Sequence, residues 1–444
     1  MNWVSFFVDG CSDMGLLNVL GVTGESLGIV AAGPLSGIQQ QNERGAESTL
    51  RPPRPIPMQS YKHAFSRALD ADPARLHVAA HSHHPWPDVA RDAHLAAWDD
   101  AVRLLDHKWE RVFGEVLPAA RTHIARILGL PDPGTLCFAP NVHEFLVRIA
   151  SALPNDRPLR ILSSGSEFHS FTRQVARWVE VGRAQWTTVP TEPFATFAER
   201  FAAAARADTY DLVYVSQVFY DSGWVFEEAG EILTGLAEPT TCVVDGYHGF
   251  MATRTDLGRM AARVFYTAGG YKYAMSGEGA CFLHCPPGQL MAPVDTGWFA
   301  GFDALARADG SVEYATDGGR FFGATFDPSG LYRFVAVADW LEREGLDVEA
   351  IHQRVVALQD RMIAAVERGA AGPLTLDDLL SDRGPDPRRG NFLCFRRADA
   401  GALCESLRRA GVVVDSRADR LRFGFGLYHD LADVDRLVEV LGAL

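Results

Sequence analysis

VFYTAGGYKYAMSGEGACFLHC, at residues 264–285, is the stretch on which the interpretation of the whole chain depends. Its two ends, VFYTA and ACFLHC, are rich in aromatic and β-branched residues and predict short buried strands. The glycines between them permit tight backbone turns. Lys272 therefore lies on a glycine-bounded turn at the end of a strand. A solvent-exposed loop lysine is the alternative, since most lysines are exposed.

The strand that precedes this stretch ends in an acid. TCVVDGYHG, at residues 241–249, predicts an apolar strand that stops at Asp245, with His248 three residues later. An acid and an amine at successive strand ends suit an aldehyde cofactor with a pyridine ring. The amine of Lys272 can form a Schiff base, and the acid keeps the ring nitrogen protonated so that the ring withdraws electrons.

Several separate motifs resemble the pyridoxal-phosphate (PLP) site of the class V aminotransferase superfamily, and within it that of kynureninase. They are Asp245-x-x-His248, Gly270-Tyr271-Lys272-Tyr273 and Gly277-x-Gly279-Ala280. The resemblance covers the chain from about residue 75 to the C-terminus. It implies the α/β fold type I of PLP-dependent transferases. This fold has a large domain, with a mainly parallel sheet of seven-stranded type flanked by helices, and a smaller α+β C-terminal domain.

Composition agrees with a large cytoplasmic enzyme. The chain has 444 residues, of which 47% are hydrophobic and 22% charged, enough for a large core and two lobes. Its net charge of −14 argues against a nucleic-acid or anionic-membrane partner, because such a partner usually binds a basic face of the protein. The seven scattered cysteines predict reduced thiols.

The first 57 residues differ from the rest. An apolar start, interrupted by Asp9, Asp13 and Glu25 and not preceded by Lys or Arg, gives way to a polar stretch typical of linkers. We expect residues 1–57 to be a disordered or non-native N-terminal extension. We further expect residues 58–88 to associate with the small domain, 89–310 to form the large PLP-binding domain and 311–444 to form the small domain.

Three histidines occur in HSHHPWP, at residues 81–87. An extended backbone would place His81 and His83 on one face and His84 on the other, and no Cys or carboxylate completes a recognisable metal-ligand spacing. We therefore expect no metal. The kynureninase family has an asparagine-serine-leucine-glycine stretch here, at the substrate entrance. The resemblance implies that Ser82 and His83 bind substrate.

TLCFAPN, at residues 135–141, predicts a strand that delivers Asn141 to the start of a helix. The free N–H groups of a helix N-terminus commonly bind phosphate, although an ordinary Asn cap is the alternative. The family binds the cofactor phosphate at this place. The resemblance therefore implies that Pro140, Asn141 and Val142 contact it, with Asn141 in place of the usual hydroxyl residue.

Glu167-Phe168-His169-Ser170 resembles the kynureninase segment whose phenylalanine stacks on the cofactor ring. The resemblance assigns that role to Phe168 and a cofactor contact to Ser170; a buried core phenylalanine is the alternative. Phe171 stands where the family usually has aspartate, a departure that bears on the identity of the substrate.

Strands and helices alternate from residue 135 to residue 285, which predicts a mainly parallel sheet with ligands at the carboxyl ends of its strands. Five candidate residues fall at such ends, and we expect them to form one site with a cofactor contact from each. They are Asn141, Phe168, Ser216, Asp245 and Lys272.

Two later loops, Thr296-Gly297-Trp298-Phe299 and Gly323-Ala324-Thr325-Phe326, resemble family loops that reach the neighbouring subunit. The resemblance implies a homodimer in which Trp298 and Thr325 contact the partner's cofactor or substrate; ordinary loop packing is the alternative.

In LRFGF, at residues 421–425, alternation places Arg422 on the face opposite its apolar neighbours. A guanidinium there can hold a carboxylate through two parallel hydrogen bonds, although a surface arginine on an edge strand is the alternative. The family carries its substrate-carboxylate arginine at this position.

The resemblance implies that Lys272 binds PLP and abstracts the α-proton of an amino acid whose carboxylate Arg422 holds. Tyr271 and His248 would support the phosphate and the Asp245 region. We expect kynureninase-like hydrolysis between Cβ and Cγ, giving an anthranilate-like product and alanine, as in tryptophan catabolism. A class V aminotransferase or related lyase is the alternative, and a catalytically idle PLP-binding protein is a third. Cysteine desulfurase is disfavoured because Cys394 lies in an apolar strand and Cys404 in a helix.

Overall fold

The computed structural model describes residues 59–304, 311–384 and 388–444. The expectation about residues 1–57 lies outside these ranges. Within them, no helix combines the length and apolar character that crossing a bilayer requires.

In chain order, the strands of the described residues are β1 (Leu76–His77), β2 (Leu136–Ala139), β3 (Leu159–Ser164), β4 (Ala184–Val189), β5 (Leu212–Ser216), β6 (Thr241–Asp245), β7 (Val264–Ala268), β8 (Cys281–His284), β9 (Phe392–Arg396), β10 (Val412–Val413), β11 (Asp415–Arg417) and β12 (Arg420–Gly424). The α-helices are α1 (Ser66–Asp70), α2 (Asp88–Leu104), α3 (Lys108–Arg111), α4 (Leu117–Leu128), α5 (Val142–Ser151), α6 (His169–Glu180), α7 (Phe197–Ala207), α8 (Ala229–Thr234), α9 (Ser329–Arg343), α10 (Val348–Glu367), α11 (Ala400–Arg409) and α12 (Leu431–Gly442).

Seven strands form one sheet in the order β2-β8-β7-β6-β5-β3-β4. Only β8 runs against the others, because it pairs antiparallel with both β2 and β7. All residues of β5, β6 and β7 are buried, as expected for central strands covered on both faces. This sheet, flanked by helices, confirms the predicted α/β fold of type I.

A second, smaller sheet carries Arg422. It is antiparallel, with β12 in the centre between β11 and β9. Leu421 and Phe423 are fully buried in a separate hydrophobic cluster with α10, α11 and α12. The prediction of a smaller α+β domain near the C-terminus is confirmed.

Residues 76–80 run along this smaller sheet. Strand β1 pairs in parallel with β10, and Gly424 N donates to Val78 O at 2.8 Å. Farther upstream, Lys62 forms a 2.8 Å ion pair with Asp433 of α12. The exact domain boundaries stay a prediction.

Candidate active site

A cavity of about 240 Å³ lies at the carboxyl ends of the parallel strands. Adjacent strands are in register there, with Ser216 of β5 paired to Asp245 of β6, and Asp245 paired to Thr267 of β7. The cavity brings together ten of the residues selected from the sequence: Pro140, Asn141, Val142, Phe168, Ser170, Ser216, Asp245, His248, Tyr271 and Lys272.

Lys272 lies on the turn that follows β7, and its side chain is buried. The turn needs glycine, because a Cβ on Gly269 would lie 2.4 Å from the Tyr247 hydroxyl. The Nζ atom contacts Nε2 of His248 and lies 5.1 Å from the centroid of the Tyr247 ring. Burial lowers the pKa of Lys272 to about 7. The amine is therefore available in its neutral, nucleophilic form near neutral pH.

Asp245 is buried at the end of β6 and accepts two hydrogen bonds. Tyr247 N donates to Oδ1 at 2.9 Å, and the Tyr214 hydroxyl donates to Oδ2 at 2.8 Å. Burial raises the pKa of Asp245, and these two donors and Lys272 oppose that rise. The carboxylate is thus held at the floor of the cavity, where it can pair with a protonated ring nitrogen.

Phe168 precedes α6 and presents its ring to the cavity. Its centroid lies 5.5 Å from Nζ of Lys272, and its edge packs against Tyr220 with centroids 5.6 Å apart. The neighbouring Phe171 is buried and stacks on Tyr214 at 4.2 Å. Phe171 therefore supports the tyrosine that holds Asp245.

The N-terminus of α5 faces the same cavity. Asn141 caps this helix, since its Oδ1 accepts a hydrogen bond from Glu144 N at 3.1 Å. Asn141 Oδ1 and Glu144 N are thereby engaged with each other, so the other backbone N–H groups of the first turn are the ones that could bind an anion.

Glu167 is a buried acid of the site that the sequence analysis did not select. Ser216 donates to it twice, from N at 3.1 Å and from Oγ at 2.5 Å, and the Ser164 hydroxyl also donates. Burial raises the pKa of Glu167 to about 8. Its position immediately before Phe168 in a strand-end motif was the available signal.

Four other predicted residues lie outside the lining of this cavity. Ser82 is half-buried, and His83 is exposed with Nε2 3.6 Å from Glu278 and its ring 5.3 Å from that of Tyr271. Trp298 donates to the Thr325 hydroxyl at 3.2 Å, so the two pair with each other.

The expected arrangement of the histidines is wrong. His81 and His84 are buried, whereas His83 is exposed. The backbone turns here rather than extending, since Ser82 N and His83 N both donate to Ala79 O at 2.9 and 3.1 Å. The two-residue alternation therefore does not apply.

Arg422 also lies outside the cavity lining, but it is buried and belongs to a central strand. Its Nη1 donates to Tyr220 O and its Nη2 to Asp415, while Nε has no hydrogen-bond partner in the described part of the chain. The alternative of a surface arginine on an edge strand is thereby excluded.

The described residues contain one group whose geometry could hold a metal, formed by His123, Asp339 and Glu342. Arg126 approaches Glu342 at 3.5 Å, and His123 pairs with Asp339 at 2.8 Å. These contacts form a network of polar contacts between α4 and α9, outside the lining of the Lys272 cavity.

Comparisons with known proteins agree with this fold. A family model described as the kynureninase C-terminal domain matches residues 351–441. The fold is similar to that of a C-DES mutant with glycine covalently linked to its PLP cofactor, with a TM-score of 0.73, 17% identity, and 86% of this chain and 99% of that chain covered. The Escherichia coli cysteine desulfurase CsdA gives a TM-score of 0.69, 17% identity, and 86% and 97% coverage.

An apo cysteine desulfurase from Thermococcus onnurineus NA1 gives a TM-score of 0.68, 15% identity, and 87% and 98% coverage. At these identities, structural similarity establishes the fold and not the activity. No curated protein sequence matches the chain.

Proposed function

We propose that this chain, a member of the class V superfamily of pyridoxal-phosphate-dependent enzymes, binds pyridoxal 5′-phosphate at Lys272 and acts on an α-amino acid. The observation that carries the proposal is that one cavity contains both the buried amine of Lys272, whose pKa is lowered, and the buried carboxylate of Asp245.

The residues present fit this cofactor. Asp245 would pair with the ring nitrogen, Phe168 would face the ring, and the N-terminus of α5 would hold the phosphate together with Tyr271. When bound, the cofactor supplies an aldehyde carbon and an electron-withdrawing ring.

The chain's own residues would then handle the substrate. Arg422 would bind its α-carboxylate, and the unpartnered Nε–H gives this guanidinium a free donor. Lys272 would carry the α-proton on Nζ. The contact with His248 holds that amine in place, and its burial favours its neutral form.

For the reaction, we propose hydrolysis between Cβ and Cγ of a kynurenine-like amino acid. Water would supply the hydroxyl of the new carboxyl group and the proton gained by Cβ, giving an anthranilate-like acid and alanine. The family-model match, which includes Arg422 and the strands around it, supports this choice.

A class V aminotransferase or a related PLP lyase is the second candidate, because the structures with this fold include the cystine C–S lyase C-DES. A desulfurase that uses its own thiol is disfavoured. Of the cysteines in the described residues, Cys404 alone is half-buried and the others are buried. Those free thiols support the cytoplasmic location that we also propose.

We further propose a homodimer, as the superfamily resemblance implies. Helix α2 exposes an apolar stripe at a helical spacing, with Trp98 and Val102 each more than 60% exposed. Trp298, 43% exposed and paired with Thr325, would reach the partner's site.

The test is incubation of purified holoprotein with L-kynurenine, followed by assay for anthranilate and alanine, beside an exchange assay with a keto acid. Anthranilate formation that the Lys272→Ala variant lacks supports the hydrolase. Keto-acid exchange without anthranilate supports the aminotransferase. A protein that takes up PLP but converts no amino acid supports the idle PLP-binding protein.

A further inference from the structure

His81 and Arg422 lie on two sides of one carboxylate. Nε2 of His81 lies 3.6 Å from Oδ2 of Asp415, a contact longer than a hydrogen bond, and neither ring nitrogen of His81 has a hydrogen-bond partner among the described residues. Nη2 of Arg422 donates to that same oxygen. Because Nη1 of Arg422 donates to Tyr220 O, the guanidinium is held at both ends. Only its Nε lacks a hydrogen-bond partner among the described residues.

The imidazole of His81 cannot easily turn away from Asp415. It is 1% exposed and stacks on Phe392 with centroids 4.7 Å apart and an angle of 24°. On its other side it lies against Gly424, where a Cβ would come within 2.2 Å of Nδ1. Packing therefore directs Nε2 at the carboxylate.

The protonation states are consistent with an electrostatic contact between a neutral imidazole and an ionised carboxylate. Burial would raise the pKa of Asp415, but contacts with His81 and Arg422 hold it well below its usual value. Burial lowers the pKa of His81 to about 3, so the ring is neutral. An ionised carboxylate attracts an N–H group, which favours the tautomer of His81 with its proton on Nε2.

We propose that His81, acting through Asp415, is a positioning residue that fixes the guanidinium of Arg422 for the carboxylate of an amino-acid substrate. The inference rests on the proposed function, in which Arg422 binds that carboxylate. His81 and Asp415 anchor one edge of the guanidinium and leave Nε–H for the ligand. Pre-organised donors bind more tightly because less ordering remains to be done on binding.

The test compares two ligands on the PLP-loaded protein. L-Alanine has an α-carboxylate and ethylamine is its counterpart without one; the dissociation constant of each is measured from the change in cofactor absorbance. His81→Phe keeps an aromatic ring on Phe392 but removes the N–H. We expect it to weaken alanine binding roughly tenfold, because the N–H that faces the charged carboxylate of Asp415 is lost, and to leave ethylamine binding within about twofold.

Two further variants separate positioning from packing. His81→Gln returns an N–H near the place of Nε2, and we expect it to recover alanine affinity to within about threefold of wild type. Asp415→Asn should itself weaken alanine binding. The double variant with His81→Phe should differ from Asp415→Asn in alanine affinity by less than about twofold, because both substitutions act on one contact.

His284→Phe is the matched control. This histidine is also fully buried, but it lies at the far end of β8 and is hydrogen-bonded to Thr135 and Ala261 O. We expect it to leave the ratio of the two dissociation constants unchanged.

Three outcomes overturn the inference: unchanged alanine binding in His81→Phe, equal losses of alanine and ethylamine, or tighter alanine binding in Asp415→Asn. Failure of the proposed function has a different signature, since wild-type protein would then take up no PLP. If wild-type holoprotein bound alanine no better than ethylamine, the carboxylate role of Arg422 and the positioning role of His81 would both fall.

Discussion

The hydroxyl of Tyr214 donates a 2.8 Å hydrogen bond to Oδ2 of Asp245 across neighbouring strands β5 and β6. Asp245 is buried, and burial favours its neutral form. The phenol therefore helps to keep ionised the one carboxylate that the proposed cofactor site requires.

Removing this donor should weaken cofactor binding. In Tyr214→Phe the pKa of Asp245 should rise further, and we expect the affinity for PLP to fall roughly tenfold, the value of a hydrogen bond to a charged group. Equilibrium titration with PLP measures it. Tyr332→Phe is the control, because its hydroxyl donates at 3.0 Å to Asp100 and neither residue lines the cavity. Equal losses in the two variants would contradict the assignment.

Lys272 should be the residue that captures the cofactor. The chain contains only three lysines, Lys62, Lys108 and Lys272, so the identification can be complete. Borohydride treatment of the yellow holoprotein should tag one peptide, that of Lys272, by mass spectrometry. Lys272→Ala should lose the tag and the colour, while Lys108→Ala should keep both. A tag on either other lysine would refute the site.

The rate of PLP capture by the cofactor-free protein should depend on pH. The pKa of Lys272 is lowered to about 7 by burial, and only the neutral amine attacks an aldehyde. Below pH 7 the neutral fraction falls tenfold per unit, so we expect capture to be roughly tenfold faster at pH 8 than at pH 6. Stopped-flow absorbance follows the reaction. A rate that keeps rising tenfold per unit up to pH 10 would show an ordinary lysine.

Buried histidines should make the fold sensitive to acid. Burial lowers the pKa of His77 to about 4 and that of His84 and His429 to about 3, from an ordinary 6.5. Between pH 6.5 and 4 these histidines are protonated in the unfolded chain but neutral in the folded chain. The free energy of unfolding should therefore fall with decreasing pH, by about 1.4 kcal/mol per unit for each histidine.

Denaturant unfolding at pH 5, 6 and 7 measures this slope. His429→Gln should reduce this slope by the contribution of close to one proton, about 1.4 kcal/mol per pH unit, since one titrating group is removed. A slope identical to that of wild type would show that this histidine is protonated in the folded protein.

Gly424 should be required for the close packing of His81 against β12. A Cβ there would lie 2.2 Å from Nδ1 of His81 and 2.8 Å from its backbone N, so one of the two must move. We expect Gly424→Ala to cost roughly 1–3 kcal/mol of unfolding free energy. Gly401→Ala, inside α11 with open space around it, should instead gain up to about 1 kcal/mol. Calorimetry of both variants decides; equal stability would contradict the close contact.

Local patterns were sufficient for the sheet and for much of its site. Strands β5, β6 and β7 are continuous apolar runs because both of their faces are covered, and such runs are visible in the sequence. Asp245 and Lys272 follow two of these runs, and parallel strands bring their carboxyl ends to one edge. Hydrophobic burial and chain direction thus determined the pairing of acid and amine.

Contacts between distant segments were decided only by the tertiary structure. No spacing rule connects Glu167 with Ser216, or His81 with Asp415, because a contact between them depends on how separate strands and turns pack. The turn after Ala79 also overturned the expected distribution of the histidines between two faces. The sequence specified which strands form and where they end, while side-chain direction at those ends was fixed by packing that no single segment encodes.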